Sequence, residues 1–408
     1  MRWLLVGPGP RFLSGVGYHT AGLANTLARR GERVEAVLLR QLVPGWVYPG
    51  RAHLGVHGLD VYHLDAAVGL GELDWWWGLR GLGLAWRTTR RHPDVVVLQW
   101  WTSAVAHSLL LLAALAHRQG ATVILELHET TDVGEAQLPL VGSYSQAMMS
   151  ALSRFVDGIV VHSHHDATAM KRHFPALEAL PAAVVFIGPP PHDGLGPAPD
   201  RPSDPDALAD PGRRDLRPVR YLYFGVLRSY KGLDELARAF TLLLERGVDA
   251  HLTVAGERWE DVGSALAEIA RSGPDRHRIM QRYLTDAQLV GLVADCDVVV
   301  LPYRRSSASS PLHLAMEAGR PLVTTDAPAL VEACAGYAGA IIVGRHDPED
   351  LARGMLEATA LVGHRFANPH SWDTSAERLT CFAAGLAADP VATRRPTPGA
   401  RRASRRAR

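Results

Sequence analysis

Short apolar runs alternate along the chain with segments in which apolar positions return every three or four residues. In the first half the runs are Trp3–Val6, Val34–Leu39, Val95–Leu98, Val123–Leu127, Ile159–Val161 and Val184–Ile187. In the second half they are Tyr221–Phe224, Leu252–Val254, Val298–Leu301, Leu322–Thr324 and Ile341–Val343. Runs this short and this uniformly apolar read as strands covered on both faces, as in parallel sheets. Between them the helical period predicts Tyr18–Arg30, Ala104–Arg118, Gln146–Phe155, Leu233–Glu245, Ser264–Arg271, Ala287–Val293, Leu312–Ala318 and Leu351–Leu361. A strand reaches a parallel neighbour only through a crossover, so the alternation predicts an α/β chain with doubly wound sheets.

The pattern lapses after Gly188-Pro189-Pro190-Pro191, where a Pro-, Asp-, Gly- and Ala-rich stretch runs to about Arg217 without hydrophobic period. That composition suits a linker or long surface loop. The expected organisation is a Rossmann-like domain over residues 1–190, a linker over 191–217, a second Rossmann-like domain over 218–365, a helix within 366–388 and a disordered basic tail over 389–408. The helix, Trp372 to Leu386, follows a break at Pro369 and could pack on either domain. Residues 41–90 read as irregular and carry Trp46, Trp75, Trp76, Trp77 and Trp86. A local core and an apolar acceptor or membrane-facing surface are both open readings of them.

Charge narrows the classes. The 43 Lys+Arg nearly cancel 42 Asp+Glu, but residues 391–408 hold seven arginines and no acid. Removing those seven from the net +1 leaves the rest near −6, so the body is not a general nucleic-acid binder. The tail reads as a solvated end, with weak attraction to anionic lipid as the sharper alternative. The three cysteines, Cys296, Cys334 and Cys381, lack the close spacing of a zinc site or disulfide scaffold and fit a reducing compartment. The opening apolar run stops at Gly7-Pro8, too short for a signal peptide. Leu109–Leu115 falls short of the roughly 20 residues a bilayer requires. The expected location is the cytoplasm, with peripheral contact at the inner membrane face left open.

Two loops carry candidate chemistry. Phe224-Gly225-Val226-Leu227-Arg228-Ser229-Tyr230-Lys231-Gly232 joins a strand to a helix, at the carboxyl edge where open α/β sheets bind ligands. It sets a guanidinium and an ammonium beside glycines and a helix start, a combination suited to a diphosphate. The second loop runs from Tyr303 through Arg304, Arg305, Ser306, Ser307, Ala308 and Ser309 to Ser310. Ser310 suits an N-cap and Pro311 the first helical position, leaving free N–H groups and hydroxyls for phosphate. Asp295-x-Asp297 and His162-Ser163-His164-His165-Asp166 resemble metal clusters. The first reads better as a helix end; in the second, Ser163 reads as an N-cap with His164 and His165 in the first turn. No metal or cofactor is expected.

Several further pieces fall in a telling order: Gly15-Val16-Gly17 after the first strand; Leu127-His128-Glu129; Gly225…Arg228…Lys231-Gly232; Val254-Ala255-Gly256-Glu257; Arg282-Tyr283-Leu284-Thr285; Ala294 to Pro302; and Ala315-Met316-Glu317-Ala318-Gly319-Arg320-Pro321-Leu322-Val323. Over the chain apart from the tail and residues 41–90, this resembles a family 4 glycosyltransferase of the GT-B fold. The resemblance implies two Rossmann-like domains facing a central cleft. It also implies a retaining, metal-independent transfer of a sugar from a nucleotide-diphosphate sugar to an acceptor hydroxyl on a carbohydrate, lipid-linked or small molecule. His128, Arg228 and Lys231 would carry catalysis. Gly15, Gly17, Arg228, Lys231, Ser309 and Ser310 would hold the donor diphosphate, with Gly15 and Gly17 in a loop facing it. Tyr283, Leu284 and Glu317 would meet the nucleoside, and Ser306 and Ser307 the sugar. Two glutamates eight positions apart are usual in the family; the matching positions here are Ser306 and Leu314, with Glu317 one turn further on. A sugar-nucleotide epimerase or phosphorylase of the same fold, and a non-catalytic nucleotide-sugar-binding or scaffold protein, are the alternatives.

Overall fold

A computed structural model of the chain describes residues 1–9, 15–39, 64–73, 86, 89–129, 140–188, 217–305 and 309–388. The first sheet is parallel and seven-stranded: β1 (Arg2–Pro8), β2 (Arg33–Leu39), β3 (Gly69–Leu73), β4 (Val95–Trp100), β5 (Thr122–Leu127), β6 (Gly158–Val161) and β7 (Ala182–Val184), in spatial order 3-2-1-4-5-6-7. Its helices are α1 (Gly15–Arg29), α2 (Ala106–Arg118), α3 (Val141–Leu152) and α4 (His164–His173). The second sheet is parallel and six-stranded: β8 (Val219–Phe224), β9 (Ala250–Ala255), β10 (His277–Met280), β11 (Val298–Leu301), β12 (Leu322–Thr325) and β13 (Ala340–Val343), in order 10-9-8-11-12-13. With it go α5 (Leu233–Glu245), α6 (Gly263–Ala270), α7 (Asp286–Asp295), α8 (Ser310–Glu317), α9 (Pro328–Ala333) and α10 (Pro348–Ala358), followed by α11 (Trp372–Ala388). Among the described residues no helix is long and apolar enough to cross a membrane.

The central strands follow from their composition. Val95–Leu98, Val123–Leu125 and Val298–Leu301 are wholly buried, as strands covered by helices on both faces must be. The strands that escaped the sequence reading lie at edges. β3 carries Gly69, Gly71 and Glu72 and, among the described residues, pairs only with β2, within the stretch expected to be irregular. β10 reads His-Arg-Ile-Met and, among the described residues, pairs only with β9. An edge strand has one face or side in water, so it loses the uniformly apolar signature. α3 begins five residues earlier than the expected Gln146–Phe155, and the β6–β7 ladder covers Ala182–Val184 rather than Val184–Ile187. Helix α4 is polar on most of its surface; of the expectations there, the Ser163 cap is met, its Oγ accepting from Asp166 N at 2.9 Å.

The last helix returns to the first sheet. Ala376, Leu379, Ala383 and Leu386 of α11 join Trp3, Leu5, Leu23 and Val97 in one apolar cluster. Trp372 lies against Gly22 of α1 and Gly188, where any side chain would overlap its indole. Strand order reverses between β1 and β4 in one sheet and between β8 and β11 in the other. Ligands of open α/β sheets bind outside such reversals, and α1 with the segments that follow β5, β6, β8 and β11 supplies the residues considered next. The tail 391–408, the linker's Pro-rich core and Trp46, Trp75, Trp76 and Trp77 lie outside the described residues; Trp86 is exposed.

Candidate active site

The turn after β8 depends on Gly232. This residue adopts φ +68°, and a Cβ there would collide with the Pro302 carbonyl, so the turn packs directly on the chain leaving β11. Lys231 is thereby folded inward. It is 9% exposed, its Nζ lies 4.9 Å from the Tyr303 ring centroid, and a Cβ on Gly225 would stand 3.2 Å from that nitrogen. Burial pulls the ammonium's pKa down to about 8, the neighbouring Arg228 adds to this, and Glu129 opposes it. The Arg228 guanidinium stacks on Trp259 at 4.7 Å.

The loop after β11 is tied to the same turn. Arg304 donates to Glu235 at 2.8 and 2.9 Å, to Asp234 at 2.5 Å and to the Ser229 carbonyl at 3.0 Å. Arg304 therefore braces one loop against the other, while Arg305 stacks on Tyr230 at 4.9 Å. The helix cap is Ser309 and not Ser310: Ser309 has extended backbone and its Oγ accepts from Leu312 N at 3.3 Å, with Ser310 and Pro311 opening α8. Ser306 and Ser307 lie outside the described residues. Asp297 is engaged by Arg217 at 2.9 and 3.0 Å and by Arg220.

The opposite wall is built on β5. Glu126 is fully buried inside an apolar strand and accepts from His19 Nε2 at 2.8 Å and from the Gln99 amide at 3.4 Å. Burial pushes its carboxyl up, but His19, His162 and Gln99 outweigh that and the net direction is down. Two residues on, His128 is also buried, with Nδ1 3.0 Å from Nε2 of His162; His162 Nδ1 in turn lies 2.9 Å from the Val185 carbonyl. Burial holds the His128 imidazole well below its ordinary range and His162 at about 4. His19, Glu126 and His128 bring three ligand-type atoms within 4.8 Å of one another, an arrangement the hydrogen bonds already account for.

Several contacts join the two walls. Gly15, at the start of α1, touches Ser310, whose Oγ a side chain at position 15 would overlap. Tyr18 OH donates to Asp286 Oδ1 at 2.5 Å and is hydrogen-bonded with Tyr283. Burial takes His313 of α8 to about 3, and its neighbours His370, His162 and His19 act in the same direction. Glu129 acts on Lys231 and Tyr230 across the cleft. Glu332 of α9 accepts from the backbone N–H of His164 and His165 at 2.6 and 2.8 Å, capping α4 from the other sheet. Burial, reinforced by Glu129 and Glu332 and opposed by Ser163, raises Asp166 to about 7.

Set against the expected site, the structure brings His128, Arg228, Lys231, Gly15, Ser309 and Ser310 to one cleft. Other expectations need correction. Gly17 is a buried helical residue of α1 rather than part of a loop. Leu284 belongs to the apolar core of the second sheet. Glu317 does not share the surroundings of Leu314: Leu314 is 1% exposed, whereas Glu317 is exposed and accepts from Asn368 Nδ2 at 2.8 Å. His19, Glu126, His162, Tyr18 and Glu332 were not anticipated. One signal was available: a carboxylate in the middle of a buried strand, Glu126, must have a partner.

Two family profiles match the chain: "Glycosyl transferase 4-like domain" over residues 14–189 and "Glycosyl transferases group 1" over 218–360. The chain belongs to the group 1/family 4 glycosyltransferases. A GDP-mannose:glycolipid 4-β-D-mannosyltransferase from Xanthomonas campestris pv. campestris is 29% identical over 106 residues, 26% of this glycosyltransferase and 30% of that relative, so the match spans under a third of the relative's length. Among solved structures, a glycosyltransferase from Rickettsia africae has TM-score 0.63 at 12% identity, over 95% of this chain and 99% of that one. A structure described as "Trehalose-6-phosphate from E. coli bound with UDP-2-fluoro glucose" has TM-score 0.59 at 13% identity, over 95% of this chain and 99% of that one. An Anabaena protein in complex with UDP has TM-score 0.60 at 14% identity, over 95% of each chain. At such identities the likeness is one of fold, the GT-B pair of Rossmann-like units.

Proposed function

We propose that this glycosyltransferase takes its sugar from a nucleotide-diphosphate sugar. The donor sits mainly on the domain of residues 218–365, and the acceptor hydroxyl on the domain of residues 1–190. Lys231 carries the reading. A buried ammonium beside a guanidinium is disfavoured until an anion joins it, and a diphosphate would neutralise both while meeting the Ser309 and Ser310 end of α8. Negative charge grows on the diphosphate as the glycosidic bond breaks, so Arg228 and Lys231 stabilise the transition state more than the bound donor. Gly15 closes on the diphosphate from α1, Tyr283 borders the nucleoside, and His128 faces the sugar.

The name of the Xanthomonas relative makes GDP-mannose and a glycolipid the first donor and acceptor to test, with UDP-sugars next. Retention at the anomeric carbon is the reading the family resemblance supports. The β linkage in that relative's name favours a second reading, inversion. Thermal shifts with GDP-, UDP- and ADP-sugars, followed by NMR of the product's anomeric proton, decide both points. One activated sugar is expected to raise Tm in proportion to log concentration. If no nucleotide sugar shifts Tm at millimolar concentration, the donor assignment fails.

A further inference from the structure

We infer that His162 is a positioning residue which fixes the proton of His128 on Nδ1 and leaves the acceptor lone pair on Nε2. The inference rests on the proposal that His128 faces the sugar.

The argument starts at a backbone atom. The Val185 carbonyl can only accept, so His162 Nδ1, 2.9 Å away, carries a hydrogen. A neutral imidazole has a single N–H, which makes His162 Nε2 an acceptor. The group facing it at 3.0 Å is His128 Nδ1, which must therefore donate. His128 is neutral as well, and its lone pair falls on Nε2.

The surrounding groups keep His162 from reversing the sequence. A protonated His162 would donate through Nε2 and drive the His128 proton to the other nitrogen. Both rings are buried, and His19 stands edge-on to each at 5.0 and 5.4 Å. Glu126 is the one nearby carboxylate identified among the described residues, and its oxygens already accept from His19 and Gln99. His313 and His370, on the side of α8, add no negative charge. At neutral pH Nε2 of His128 can thus accept a hydrogen bond but cannot protonate a departing oxygen.

The test is the 15N spectrum of His128 in the full chain at neutral pH. A pyridine-type Nε2 and a protonated Nδ1 are expected; a protonated Nε2 overturns the inference. His162→Gln keeps both contacts, since its amide N–H can donate to Val185 and its carbonyl can accept from His128. His162→Leu removes them and is expected to mix the two tautomers and lower kcat about ten- to a hundredfold with donor KM little changed. Gln restoring kcat and the Nδ1–H tautomer supports the assignment, whereas equal loss in both variants with an unchanged tautomer overturns it. If His162→Leu does not fold, the wild-type spectrum still decides. Full turnover in His128→Ala would instead overturn the reading of His128 itself, and leaves the tautomer result standing.

Discussion

The two walls of the cleft bury polar groups by opposite means. On the first sheet, Glu126 is matched by His19 and Gln99, and His128 and His162 are kept neutral and bonded in sequence to a backbone carbonyl. On the second sheet, Lys231 is buried against an aromatic ring beside a second cation, and among the described residues no carboxylate pairs with it. A self-satisfied network holds its own geometry and resists substitution. A buried cation without a counter-ion is strained, and an incoming anion relieves that strain. Under the proposed function, the first wall orients and the second receives charge.

The largest effect should come from breaking the self-satisfied wall. Glu126→Ala leaves His19 and Gln99 without their acceptor in the core and should reduce unfolding free energy by about 3–5 kcal/mol in urea titrations. A loss below about 1 kcal/mol would show that the pair is not part of the packed core.

Lys231→Ala should behave in the opposite way. Tm should stay or rise, because a buried charge has gone, while affinity for nucleoside diphosphate should fall by about a hundredfold, or about 2.7 kcal/mol. Wild-type affinity should also decline as pH rises through about 8, where the amine loses its proton, and the variant should lack that dependence. A variant with unchanged affinity and the same pH profile would remove the diphosphate from this turn.

The smallest effect per step is the acid response. A histidine in the unfolded chain takes up a proton near 6.5, but His162 in the fold does so only near 4 and His313 near 3. Their neutral forms favour folding in full above 6.5, and this contribution is lost as pH falls from 6.5 towards 4. Stability should therefore drop by about 1.4 kcal/mol per pH unit for each histidine kept neutral. A urea midpoint that is flat across this window would mean the histidines are hydrated.

The central strands, the strand–helix alternation and the cationic turn were legible in the amino-acid order because each is local. Burial on both faces forces a uniformly apolar run, and a βα turn shows its glycines and cations in nine consecutive residues. β3 and β10 were not legible, since an edge strand needs apolar residues on fewer sides. The serine cap was displaced by one position because Ser309 and Ser310 are chemically equal and only backbone conformation separates them.

The residue order by itself determined two doubly wound sheets and a phosphate-suited turn at the carboxyl edge of one of them, since periodicity and turn chemistry act between near neighbours. Only the tertiary structure decided that His19, Glu126, His128 and His162, drawn from α1, β5 and the end of β6, form one network. It also decided that Lys231 points inward and that α11 returns to the first sheet. Hydrogen bonds between residues 34 and 107 positions apart, such as those of His162 with His128 and of His19 with Glu126, depend on strand order and helix packing, and no local pattern records them.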